Sequence, residues 1–251
     1  MIGLRDRLCR RRNQALDRLG LNRGWLAELS AYHRGMTIEE FWVRYTLGRM
    51  EASTLWEAKP RTGESDYRSF YAETGYFVLR QMYYHRNDCF HHVAETMRGR
   101  EGDFCEYGSG VAPVTAWVRR RFPAWRYTVV DLPSPALDFA KWRFRKFPNV
   151  EALSPGFGPD LPLARSYDVI TCLDVLEHAI NPLEIARHLV AHLKPGGTLH
   201  VNFIEDPGGE NLAESAAERA ATIALLDREL QPVLPLHAAV RDEVYGRYVK
   251  R

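Results

Sequence analysis

The chain has 251 residues, 45% of them apolar and 26% charged, with 34 Lys and Arg against 32 Asp and Glu for a formal net charge of +2. This length buries a full core, and one α/β domain with an appendage is the natural count. No apolar run approaches the roughly 18 residues of a membrane helix, the basic N-terminus lacks a signal-peptide core, and four scattered cysteines (9, 89, 105, 172) argue against a disulfide framework or a zinc site, so a reducing cytoplasm is expected.

Charge is unevenly spread. Residues 1–23 carry seven arginines against Asp6 and Asp17. Ile2, Leu4, Leu8, Ala15, Leu16 and Leu19 have the spacing of one apolar face on a helix bearing those arginines. Two readings follow: a patch for RNA, anionic lipid or an acidic carrier, or a helix packed over the domain with a solvated basic face. The second is expected, because the rest of the chain is not basic.

Next, Thr37-Ile-Glu-Glu40 has the form of a capping box opening a helix with Phe41, Trp42, Tyr45 and Leu47. Lys59-Pro-Arg-Thr-Gly63 reads as a loop. Two helical stretches between Glu64 and Met97 follow, dense in aromatic and histidine residues. Their tyrosines and histidines combine an apolar body with a polar tip, which suits either simple packing or the lining of a pocket. Tyr71, Tyr76, Tyr84 and His85 are the pocket candidates.

The run Phe104-Cys-Glu-Tyr-Gly-Ser-Gly-Val-Ala112 is the most informative segment. A short apolar strand ends at Glu106, and Gly108 and Gly110 follow before a helix from Pro113. Glycine suits sharp turns and close approach of a ligand to the main chain. A second strand, Arg126–Val130, ends at Asp131, about 20 residues on, where a doubly wound nucleotide-binding fold places a carboxylate for ribose hydroxyls. A helix over 136–146 and a short strand near Val150 come next. Tyr167–Leu173 is a nearly continuous apolar run closed by Asp174, as for a strand buried on both faces. A helix from Pro182 is stopped by Lys194-Pro-Gly-Gly197. Thr198–Phe203 then forms a fifth strand, Glu205–Gly209 a turn and 211–230 an alanine-rich helix. Short strands near 232–235 and 243–249 complete the pattern. Strands alternating with helices point to a parallel sheet.

These blocks resemble the class I S-adenosylmethionine-dependent methyltransferases. The resemblance rests on the acid-x-Gly-x-Gly loop at 106–110, the acid at 131, the block from Asp168 through Glu177-His178, and Leu-Lys-Pro-Gly-Gly ending at 197. It covers residues 100–205 firmly. Ala112 stands where many members carry a third glycine, a mild change. The stretch 152–160 lacks the acid that often meets the adenine amine. A dinucleotide site is the competing reading of the glycines. Glu106 at the loop mouth would repel a pyrophosphate and welcome an ammonium.

The resemblance implies an α/β, doubly wound, mostly parallel seven-stranded sheet with an antiparallel last strand, flanked by helices. Residues 1–99 would form a helical cap that shapes the acceptor pocket, and 100–251 the cofactor domain. It implies S-adenosyl-L-methionine as cofactor, held by Glu106, Gly108, Ser109, Gly110, Asp131, Leu132 and Asp174. The acceptor would be a small molecule methylated on oxygen or nitrogen, with His178 the candidate base because an imidazole titrates near neutrality. Nucleic acid and metal are not expected partners, although the arginine-rich start and the Asp174/Glu177/His178 cluster keep an RNA methyltransferase as the alternative. A silent cofactor-binding scaffold is the other.

Overall fold

The computed structural model describes residues 4–59, 64–155, 161–204, 211–236 and 245–251. Among these, six α-helices precede the first strand: α1 (Leu4–Arg18), α2 (Gly24–Tyr32), α3 (Ile38–Ala58), α4 (Glu64–Glu73), α5 (Tyr76–Tyr84) and α6 (His91–Met97). The expected capping box opens α3. Thr37 Oγ1 accepts from the Glu40 N–H at 3.2 Å, and Glu40 Oε2 accepts from the Thr37 N–H at 3.0 Å. Residues 64–97 form three helices rather than two, because Gly75 parts α4 from α5 and a tight 3-10 turn at His85–Asn87 parts α5 from α6. The expected loop beyond Lys59, the turn at 205–209, part of the 152–160 stretch and the start of the last strand lie outside the described residues.

The orientation of α1 is the reverse of the expected one. Leu4, Leu8 and Leu19 are 65%, 55% and 72% exposed and Ala15 is exposed too, while Leu16 is half-buried and Ile2 lies outside the described residues. The inward face is polar. Asp6, only 2% exposed, accepts from the His91 N–H at 2.6 Å and the His92 N–H at 3.2 Å. The reason lies in α6, whose N-cap Phe90 has no side chain to satisfy the first N–H groups, so Asp6 does so from outside. Asn13 donates to the Asn87 carbonyl, and Arg86 pairs with Asp17 at 2.9 Å.

These contacts also bring Cys9 and Cys89 together as a disulfide across 80 residues of sequence. This corrects the expectation of unpaired cysteines, and with it the argument from cysteine usage for a reducing compartment. Cys105 and Cys172 are buried free thiols inside strands, as expected. Among the described residues no helix is long and apolar enough to cross a membrane.

The later elements are β1 (Asp103–Tyr107), α7 (Pro113–Arg119), β2 (Arg126–Val130), α8 (Pro135–Phe144), β3 (Val150–Leu153), β4 (Tyr167–Cys172), α9 (Pro182–Ala191), β5 (Leu193–Asn202), α10 (Ala213–Glu229), β6 (Leu230–Leu234) and β7 (Tyr245–Lys250). They form the expected seven-stranded sheet, in the order β3-β2-β1-β4-β5-β7-β6. Strands β1 to β5 run parallel, and β7 is antiparallel to both β5 and β6. The chain order reverses between β1 and β4, which opens a crevice at their carboxyl ends.

Lys194–Gly197 does not simply stop α9. It lies within β5 as an irregularity: Tyr167 pairs with Leu193, and the next pair is Val169 with Thr198. Lys194 reaches Asp168 at 2.7 Å and Asp103 at 2.8 Å, and Arg126 holds Asp103 from the other side. Two of the motif blocks therefore meet at the amino ends of the strands, opposite the crevice. Burial pushes the Asp103 carboxyl up, but these two cations leave it below its ordinary value.

The helices before β1 share cores with the sheet layers. Phe41 of α3 and Val78 of α5 pack with Val111 and Phe139 of α8. Val93 and Met97 of α6 pack with Phe104, Val114 and Tyr127. Each such fully buried side chain contributes about 1.5–3 kcal/mol. The roof over the crevice is thereby fixed to the sheet rather than hung from a linker.

Candidate active site

The loop after β1 turns sharply because Gly108 and Gly110 adopt left-handed backbone, with φ of 68° and 51°. A Cβ on Gly108 would stand 2.1 Å from Val175 Cγ2, and one on Gly110 would stand 2.1 Å from Gln81 Oε1. Ala112 is also left-handed, at φ 54°, just before α7. That conformation costs a non-glycine residue about 1–2 kcal/mol, so the alanine is a less neutral departure than the sequence suggests.

Glu106 is buried, and its two oxygens accept from the N–H groups of Val114 (3.1 Å) and Thr115 (2.7 Å) at the start of α7. Burial pushes its carboxyl up to about 7 despite these donors. Its carboxylate is thus engaged with the helix that follows the loop. Ser109 is buried as well, and its hydroxyl has no partner among the described residues.

Asp131, at the end of β2, accepts from the Gly110 N–H and, at 2.7 Å, from the Leu132 N–H. Burial of the carboxyl between the strand ends pushes it up to about 6. Asp174, at the end of β4, sits at φ 57° and is held there by Asn202 of β5. Asn202 Oδ1 accepts from the Asp174 N–H and its amide donates to Asp174 Oδ1, each at 2.6 Å.

The next turn carries Glu177 and His178. Ser215 Oγ of α10 donates to the Leu176 carbonyl at 2.8 Å, and the Leu212 N–H donates to the Glu177 carbonyl at 3.0 Å, which anchors the turn from below. Glu177 is 2% exposed, and neither carboxylate oxygen has a hydrogen-bond partner among the described residues. Burial, with Asp174 close by, pushes its carboxyl up to about 8. The nearby backbone N–H groups draw it down without forming a bond of acceptable geometry.

Gln81 of α5 completes the roof: its Oε1 accepts from the Val111 N–H at 2.9 Å. Beneath it lies a cavity of about 590 Å³, a size suited to small-molecule ligands. Gly108, Gly110, Asp131 and Leu132 line it from the first two strand ends, and Asp174, Glu177 and His178 from the fourth. Tyr71, Tyr84 and His85 line it from the cap. Tyr76 does not. It packs against Tyr45 with ring centroids 5.3 Å apart, in the aromatic layer that joins α3 to α5. A second cavity of about 450 Å³ adjoins the first at Gly108 and Asp174 and contains Glu106 and Ser109. His85 in the wall between them is hydrogen-bonded to Asp88 at 2.8 Å.

Sequence reading missed Gln81, Asn202 and the isolation of Glu177. Asn202 had a usable signal, a polar residue at the crevice end of an apolar strand. Gln81 had none, because its partner lies 30 residues away. Among the described residues no group of histidine, cysteine and acids is arranged to hold a metal ion.

A family model described as a methyltransferase domain matches residues 105–199. The ubiquinone biosynthesis O-methyltransferase of Xanthomonas campestris is 41% identical over 59 residues, which is 23% of this chain and 25% of that one. The protein of the same name from Vibrio vulnificus is 50% identical over 40 residues, 16% of each chain. The match to these curated relatives thus spans a quarter of their length or less. An O-methyltransferase family protein from Burkholderia thailandensis has the same fold, with a TM-score of 0.52 at 16% identity over 86% of this chain and 74% of that one.

Proposed function

We propose that this chain, which matches a methyltransferase-domain family model over residues 105–199, transfers a methyl group from S-adenosylmethionine to an oxygen of a small hydroxylated molecule. The observation that carries this reading is the cavity that joins the glycine loop and Asp131 to an aromatic roof and to Glu177 and His178.

The residues present fit the cofactor. Gly108 and Gly110 both line the cavity, and their left-handed backbone turns the loop along its wall. Asp131 accepts two N–H bonds already and has the acceptor capacity to take ribose hydroxyls. Leu132 and Pro155 give an apolar wall beyond it. Asp174 brings an acidic group to the far end, suited to a cationic cofactor rather than to a pyrophosphate. Glu106 and Ser109 act in this reading by fixing the loop and bordering the amino-acid end of the ligand. When bound, the cofactor supplies an electrophilic methyl group for in-line displacement.

The protein's own part is positioning, which in oriented systems supplies about 7–11 kcal/mol of a barrier. Tyr71 and Tyr84 hold the acceptor's ring or chain, with His85 between the two cavities. His178 takes the hydroxyl proton. Residues 1–99 in this reading set acceptor choice, and residues 100–251 hold the cofactor. The relatives' names favour oxygen over nitrogen as the methylated atom.

The test is transfer from methyl-deuterated S-adenosylmethionine to a panel of phenols, catechols and amines, read by mass spectrometry. Labelled product from a hydroxylated compound, with turnover lowered at least a hundredfold by His178→Gln, supports the reading. Labelled amines alone, or turnover indifferent to His178, would count against the oxygen assignment or the base.

A further inference from the structure

The outward face of α1 carries an apolar stripe set between arginines. At 100° per residue, Leu4, Leu8, Ala15 and Leu19 fall within an arc of about 60°. All four are exposed, the leucines by more than half. Hydrogen bonding from the Leu19 N–H to the Ala15 carbonyl continues the helical turn far enough to bring Leu19 into line. Arg5 and Arg12 flank this stripe on one side, and Arg7, Arg11 and Arg18 on the other. Every one of these arginines is exposed.

The opposite face is built to keep the stripe pointing outward. Asp6 binds the start of α6, Asn13 the Asn87 carbonyl and Asp17 the Arg86 side chain, while the Cys9–Cys89 disulfide ties the middle. A helix that merely covered the domain would turn its leucines in and its polar residues out. Here polar partners, an ion pair and a covalent bond hold it in the reverse sense.

We propose that α1 is an interfacial helix that docks the protein on an anionic lipid surface. An apolar stripe bordered by arginines on both sides is the arrangement that seats leucines at the acyl boundary while the guanidinium groups reach phosphate headgroups. Charge complementarity selects an anionic bilayer: the basic flanks attract it, and the stripe needs an apolar phase that a soluble polyanion does not offer. A second copy of this helix would set arginines against arginines. Asp6 and Arg10, on the opposite face of α1, border the second cavity, so the helix stands between the stripe and the site.

The experiment is flotation of the full chain with vesicles of phosphatidylcholine, with and without phosphatidylglycerol. The expected result is binding to the anionic vesicles only. Leu4→Ser/Leu8→Ser/Leu19→Ser should weaken it at least tenfold, as should Arg7→Gln/Arg11→Gln/Arg18→Gln. Raising salt from about 0.1 to about 0.5 M should weaken the wild type too, because screening shortens the reach of the arginines. Unchanged thermal melting shows that the variants are folded, since every substituted side chain is exposed. Absence of vesicle binding, or binding indifferent to the leucines, overturns the proposal. So does binding of single-stranded RNA without vesicle binding, or a dimer in solution that the leucine substitutions dissociate while vesicles are ignored.

Discussion

Glu177→Gln should reverse its effect on stability between pH 5 and pH 8. In the folded protein the carboxyl stands at about 8, raised chiefly by burial from an ordinary 4.5. Folding therefore favours the protonated form. The stability associated with that proton is fully present below pH 4.5 and is lost as pH rises through the folded value. At about 1.36 kcal/mol per pH unit across this window, ionisation costs the wild type roughly 3–4 kcal/mol between pH 5 and pH 8. Glutamine has the same shape and no charge to desolvate, but its amide N–H groups would be buried without partners, which costs about 1–3 kcal/mol at every pH. The variant should be the less stable protein at pH 5 and the more stable one at pH 8. Urea unfolding of both proteins at the two pH values, without cofactor, measures the difference directly. Other buried acids cancel in the comparison. A difference that does not change with pH would refute the reasoning, because it would mean that Glu177 is hydrated or paired in solution.

Three further outcomes follow from the same geometry. Gly108→Ala should lose roughly 2–5 kcal/mol of stability, combining left-handed strain with the collision against Val175; thermal melting with and without cofactor measures it, and the cofactor should restore little. Cys89→Ser should cost about 2–4 kcal/mol under oxidising conditions and nothing once dithiothreitol has reduced the wild type; denaturant midpoints under the two conditions check this. Because Asp131 stands at about 6 and a ligand hydroxyl favours its ionised form, cofactor binding at pH 6 should release protons and tighten as pH rises through 6. Calorimetry in buffers of different ionisation enthalpy reads that release.

Much of the sheet was legible because the central parallel strands β1, β2, β4 and β5 are buried on both faces and read as short apolar runs, from Phe104 through Val129 to Ile170 and Leu199. Acids and glycines marked the crevice ends, so Asp131, Asp174 and His178 were found where the strands deliver them. What escaped depends on contacts distant in sequence. Spacing grouped the leucines of α1 but said nothing about which way they face. That choice was made by Asp6 meeting the bare start of α6, 85 residues away. The same docking produced the Cys9–Cys89 pair. Tyr76 shows the limit of composition: it has the chemistry of a pocket residue, but α5 turns it towards Tyr45. The Lys194–Gly197 block read as a helix stop because proline and glycine end helices, yet its lysine serves Asp103 and Asp168 from within β5.

S-adenosylmethionine is expected in the crevice at Gly108, Gly110 and Asp131. Calorimetric titration of the purified chain with S-adenosylmethionine and, separately, NADH tests it most directly, repeated with Asp131→Ala. Micromolar binding of S-adenosylmethionine alone is expected, weakened at least tenfold by the substitution, since a charged acceptor lost to ligand hydroxyls removes about 1.5–3 kcal/mol per bond. A folded protein that ignores S-adenosylmethionine, or binds it equally well without the Asp131 carboxylate, would contradict the account.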